Sequence, residues 1–137
     1  LLWNWPLARL FMGDAGSIST GFLLAALALL GAVDGIVPLG CWLILLAVFI
    51  TDASYTVCWR MLNGPKITQA HRLHAYQRLS RHWGSHQSVL YLFIAIYWLW
   101  LFPMAWVTKV WPDYSAVTLT LTYLPLLVGV AKARQFD

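Results

Sequence analysis

The chain contains no glutamate, and its 137 residues include only five aspartates and nine lysines and arginines. Charged residues make up 10% of it, against roughly a quarter in an ordinary soluble domain. Sixty-one percent of the sequence is hydrophobic, more than a soluble fold of this size can hide, because small domains bury only part of the surface their unfolded chains expose. A soluble enzyme, a disordered tail and a disulfide-stapled secreted module are thereby excluded. The two cysteines, Cys41 and Cys58, are 17 residues apart in one apolar run. On a helix that is about 25 Å, far beyond disulfide reach, so both are expected to be buried thiols. The opening Leu1-Leu2-Trp3 carries neither Met nor a basic-then-apolar signal segment, and the chain is expected to be a piece of something longer. There is no internal repeat and no low-complexity stretch.

What is present is apolar length. Four runs approach the roughly 20 residues a bilayer crossing needs: 18–33, 36–57, 88–107 and 115–131. The link between the first two is Asp34-Gly35, which predicts a tight helical hairpin. Pro103 and Pro125 fall inside the third and fourth spans, where neighbouring helices allow kinks to be tolerated. The expected fold is an all-α integral membrane protein with four transmembrane helices, part of a larger multi-span bundle and a single polytopic domain. A loop over 59–86 separates the second and third spans. With that topology, eight of the nine basic residues lie on one side and only Lys109 on the other. The positive-inside rule puts both termini and the loop in the cytoplasm. Trp59, Trp83, Trp106 and Trp111 fall near span ends, as an interfacial belt requires. A net charge of +4 on such a protein points first to orientation and anionic lipid or phosphate, not to nucleic acid.

Three places can carry chemistry. Asp14 stands in Phe11-Met-Gly-Asp-Ala-Gly-Ser17, where Gly13 and Gly16 let the backbone turn and approach a ligand. The helix that follows offers free N–H groups and a positive dipole end to phosphate. Capping of that helix by Asp14 or Ser17 is an equally good reading, and the two roles can coexist. Asp52 lies inside the second span, where a carboxylate is costly and often functional; a structural Asp, paired with an Arg or a helix end, is the slightly favoured alternative. Finally, on a helix over 70–83, His71, His74, Arg78, Arg81 and His82 share an arc of about 100°, with Leu73, Tyr76, Leu79 and Trp83 opposite. That pattern suits an interfacial helix gripping anionic headgroups. It equally suits a diphosphate-binding face with Arg and His as donors. A histidine metal site is weaker for lack of a third ligand, and a haem site weaker still. A carboxylate in a Gly-rich turn and an Arg/His face on one membrane surface together suggest phosphoryl chemistry on a lipid. An anion transporter stays open.

These same residues resemble the polyprenyl-phosphate N-acetylhexosamine-1-phosphate transferases, the undecaprenyl-phosphate sugar-phosphate transferases, over nearly the whole chain but only the C-terminal part of such a protein. Asn4-Trp-Pro-Leu-Ala-Arg-Leu-Phe-Met-Gly-Asp-Ala-Gly-Ser17, then Gly21-Phe22, is close to the family's Pro-Ala-x-x-Phe-Met-Gly-Asp-x-Gly-Ser…Gly-Phe signature, with Leu7 inserted between Pro6 and Ala8. Asp52 and Arg60-Met-Leu-Asn-Gly64 match an acidic span end leading into Arg-x-x-x-Gly. His71-Arg-Leu-His-Ala-Tyr-Gln-Arg78 looks like the O-antigen-initiating branch's version of a His-rich loop, with Arg72 and Leu73 where other branches carry more His. The family's adjacent Asp-Asp pair is absent, as a fragment lacking the N-terminal half would have it.

The resemblance implies an Mg²⁺-dependent phosphoglycosyl transferase of the bacterial inner membrane with its active face in the cytoplasm. It would transfer a sugar-1-phosphate from a UDP-N-acetylated sugar to undecaprenyl phosphate, releasing UMP, to initiate a cell-wall or O-antigen lipopolysaccharide chain. Asp14 would bind Mg²⁺ or orient the diphosphate. His71 and His74 would bind the diphosphate, with Arg78, Arg81, Gly13 and Ser17 completing the substrate contacts. The fragment alone is expected to be inactive. A non-enzymatic anion-binding, transport or structural membrane module is the alternative.

Overall fold

The computed structural model describes residues 13–63 and 75–133, and every regular element among them is helical. They are α1 (Gly13–Val33), α2 (Leu39–Leu45), α3 (Ala47–Asn63), α4 (Ala75–Trp83), α5 (His86–Ile96), a π-helical segment (Tyr97–Leu101), α6 (Phe102–Val110), a 3₁₀ turn (Pro112–Tyr114) and α7 (Ser115–Ala133). Three helical stretches, Ala15–Val33, His86–Val110 and Pro112–Ala133, are long and apolar enough to cross a membrane, and a fourth crossing is possible through the bent pair α2–α3. The all-α membrane class read from the sequence holds. The chain divides into two compact units, Leu1–Leu39 and Gly40–Asp137.

The described part of the first unit is α1 and the turn after it. Phe22, Leu29 and Val33 are 73%, 60% and 84% exposed, a degree of apolar exposure that suits hydrocarbon and not water. The helix ends at the anticipated Asp34-Gly35 turn. There the Ile36 and Val37 amides both donate to the Gly31 carbonyl at 3.0 Å.

In the second unit, small and hydroxylated residues let helices approach closely. A Cβ on Gly40 of α2 would meet Thr108 Cγ2 of α6 at 3.2 Å. The Cys41 thiol donates to the Ala105 carbonyl at 3.3 Å. Across the α6–α7 seam the Thr108 and Thr118 hydroxyls are 2.6 Å apart, and Thr122 donates to the Thr118 carbonyl at 2.7 Å. Ile44 and Leu101 fill the centre and are fully buried. This is how helices associate in lipid, where apolar surface gives no drive and close packing with interhelical hydrogen bonds must supply it.

Two features correct the sequence reading. The second span is not one straight helix over 36–57: its axis turns by 70° between α2 and α3, at Leu46, with neither Pro nor Gly at the break. The Tyr123 hydroxyl donates to the Leu43 carbonyl at 2.9 Å, so a side chain from α7 enters the ladder beside the bend, a recognised source of kinks. The two prolines are absorbed more gently. Pro125 sits within a continuous α7. Pro103 follows the π segment, whose last turn is closed by the Phe102 amide donating to the Tyr97 carbonyl, a wider turn that leaves room for the proline ring. The second correction concerns the thiols. Cys41 is buried, but Cys58 is exposed, because α3 presents that face outward.

Candidate functional site

The α4–α5 corner is built by local chemistry. Gly84 adopts φ +61°, a left-handed conformation that glycine takes without a Cβ penalty, and it ends α4. Ser85 then caps α5, its hydroxyl accepting from the Ser88 amide at 3.3 Å. Across the corner, buried Ser80 is 2.7 Å from His86 Nδ1. His86 is the last residue of the 59–86 loop in the sequence reading. Its place at the start of α5, tied to Ser80, is a tertiary fact that no spacing rule reveals.

The cationic face expected on 70–83 divides in two. Arg78 is only 4% exposed, whereas Arg81 and His82 are exposed; all three have interaction partners. Among the described residues of α4, Arg78 and Ser80 are the buried ones. A buried guanidinium is tolerated only when paired, so Arg78 anchors the helix while Arg81 and His82 remain accessible. His71 and His74 lie outside the described residues.

Asp52, partly buried and partnered, stands at the wall of an apolar cavity together with Thr51, Leu79 and Trp83. Its partnered state fits the structural reading of this carboxylate better than a free intramembrane acid.

At the start of α1, Gly13 has φ +63° and Asp14 is the second residue of the helix; the Asp14 side chain lies outside what the structure describes. The left-handed Gly13 turns the chain into α1, so the amides of the first turn, which lack helical partners, face the approach to this end. Ser17 is exposed and has an interaction partner, and the Thr20 hydroxyl donates back to the Gly16 carbonyl at 2.8 Å. Among the described residues no three His, Cys, Asp or Glu side chains are grouped to hold a metal ion.

Residues 1–32, which include Gly13, Asp14 and Ser17, match the family model described as glycosyl transferase family 4. The probable undecaprenyl-phosphate N-acetylglucosaminyl 1-phosphate transferase of Bacillus subtilis (strain 168) is 32% identical over 101 residues, covering 69% of this chain and 27% of that protein. The match thus spans little more than a quarter of that relative's length. No solved structure matches the chain.

Proposed function

We infer, from two matches that support the polyprenyl-phosphate sugar-phosphate transferase family over part of the chain, that the whole protein transfers a sugar-1-phosphate to a polyprenyl phosphate in a membrane. The finer reading is an N-acetylated hexosamine-1-phosphate taken from a UDP-sugar and placed on undecaprenyl phosphate, to start a cell-envelope polysaccharide. An oxygen of the lipid phosphate attacks the β-phosphorus of the UDP-sugar, the bond from that phosphorus to the bridging oxygen breaks, and UMP leaves. The product is a sugar-diphospho-lipid. The observation that carries the reading is the family match of residues 1–32, the stretch holding Gly13, Asp14 and Ser17, on a chain whose helices are apolar enough to cross a bilayer.

The donor chemistry suits Mg²⁺, which commonly takes one or two carboxylates plus substrate phosphates; Asp14 is the carboxylate this chain offers. When bound, the ion would neutralise diphosphate charge. The chain's own residues do the rest. Amides at the start of α1 and the Ser17 hydroxyl receive phosphate oxygens. His71, His74 and Arg81 stabilise charge that spreads over the diphosphate as UMP departs. Arg78, buried, holds α4 in place. The basic asymmetry of the sequence supports a reaction on the cytoplasmic face, and the similarity to a Bacillus subtilis protein supports a bacterial membrane.

The test is UMP release by the whole protein in membranes given undecaprenyl phosphate, Mg²⁺ and a panel of UDP-sugars. Release with an N-acetylated UDP-sugar is expected. No release with any sugar would return the chain to a non-catalytic anion-binding module.

A further inference from the structure

Helix α4 carries Arg78, Arg81 and His82 within nine residues. A helix that short is marginal by itself, and its direction is set by what it packs against. It leads into His86–Val110, a stretch able to cross the membrane, and only Gly84 and Ser85 lie between them. Gly84 has φ +61°, and the residue that permits the corner is also the one with the most backbone freedom. The joint by itself does not fix the rotation of α4 about its own axis.

A hydrogen bond across the corner supplies that restraint. The Ser80 hydroxyl, on a residue 5% exposed, lies 2.7 Å from Nδ1 of His86, the first residue of α5. A hydroxyl is both donor and acceptor, so the bond holds in either imidazole tautomer and with the ring protonated. The two partners differ in what they lose without it. His86 is exposed and can turn to water, whereas a buried hydroxyl that loses its partner is left unsatisfied. Holding Ser80 also holds its neighbour. Arg81 is the next residue, about 100° further round the helix, and it is exposed. Its guanidinium has a partner, but with five N–H donors it can serve that group and a phosphate together.

We propose that His86 is a positioning residue for the nucleotide-sugar donor: through Ser80 it fixes the rotation of α4, and so aims Arg81 at the donor's diphosphate. The fork of an arginine depends on orientation more than a point charge does, so a modest rotation of α4 is enough to weaken its hold. This role rests on the transferase reading, in which Arg81 meets the diphosphate. It adds to that reading a residue from the start of a membrane-crossing stretch, one that acts on the donor without touching it.

The test uses the whole protein in membranes, with undecaprenyl phosphate, Mg²⁺ and the UDP-sugar it accepts. His86→Leu should raise the KM for the UDP-sugar about fivefold and leave the KM for undecaprenyl phosphate unchanged, because binding of the donor is what is weakened. A purely structural loss would lower the amount of active protein, and so kcat, with both KM values unmoved. His86→Asn should recover most of the defect, because Asn carries a hydrogen-bonding atom at the position of Nδ1. His86→Gln, which places that atom one bond further out, should not. In the His86→Leu background Arg81→Ala should add less than about twofold, as when one residue acts through the other. If His86→Leu fails to insert, Ser80→Ala removes the same bond and is read in the same way. With UMP released by the parent protein, an unchanged donor KM, an equal rise in both KM values or full additivity with Arg81→Ala overturns the proposal and leaves the transferase reading standing. No release by the parent overturns that reading, and this role with it.

Discussion

Helices α1 and α7 are near-equals by the usual membrane criteria, with mean hydropathies of 1.9 and 1.5 over the most apolar 18 residues of the stretches they form. Their structures differ because their hydroxyls are distributed differently. In α1 the polar residues Ser17, Ser19 and Thr20 crowd the first turns, and the rest is a smooth apolar surface exposed almost throughout. In α7, Thr118 and Thr122 recur one turn apart and are buried at 4% and 0% exposure, and Tyr123 reaches the break in its neighbour. Hydrophobicity takes a helix into the bilayer, but small and hydroxylated residues decide whether another helix packs against it.

The contrast can be broken most directly at Asp14. In the whole protein, Asp14→Asn should lower UMP release on the order of a hundredfold or more, since a neutral amide is a poor substitute for a carboxylate at Mg²⁺, where several kcal/mol of charge stabilisation are at stake. The variant can still cap α1, so near-normal turnover would make this end of α1 structural as well.

The next largest effect compares two arginines of α4. Arg78→Ala should cost about 1–3 kcal/mol, because truncating a buried, partnered guanidinium leaves its partner unsatisfied. Exposed Arg81→Ala should cost about 0.5 kcal/mol or less. Unfolding in mixed micelles by added denaturing detergent reads both. Equal losses would mean that the division of the cationic face is wrong.

Glycines sharpen the comparison. Gly40→Leu drives a side chain into Thr108 and should destabilise by about 1–3 kcal/mol. Gly21→Leu, with open space around its Cβ, should be neutral or slightly stabilising by about 0.5 kcal/mol, as a helix-interior glycine is replaced. The same unfolding assay separates them.

The smallest effect is expected at the threonine seam. Thr108→Val should cost about 0.6 kcal/mol, the average for an interhelical hydrogen bond in a membrane. Thr20→Val, which loses only a bond to its own helix, should be indistinguishable from the parent. If the two variants behave alike, the Thr108–Thr118 bond has no stabilising role.

Much of this was legible in the sequence because transfer from water to lipid depends on local composition. Apolar run length located α1, the α5–α6 stretch and α7 within a few residues, and Asp34-Gly35 marked its turn. The start of the candidate site was legible for a similar reason: glycines and a carboxylate ahead of an apolar run define a helix entrance. The α4 pattern was legible as an amphipathic helix. Its 100° arc, however, treats every cation on one side alike, and an arc cannot say which cation faces a neighbour.

The sequence by itself determined that this protein belongs in a membrane and that it is helical, because solvation acts residue by residue. The tertiary structure alone decided the rest: that Arg78 is buried while Arg81 is not, that Cys58 faces outward, that the second span bends by 70° at Leu46 and not at a proline, and that a cavity opens beneath Trp83. Each of these depends on contacts between residues far apart in the chain, Tyr123 with Leu43 and Cys41 with Ala105 among them. Periodicity along one helix has no means of encoding what another helix will bring to it.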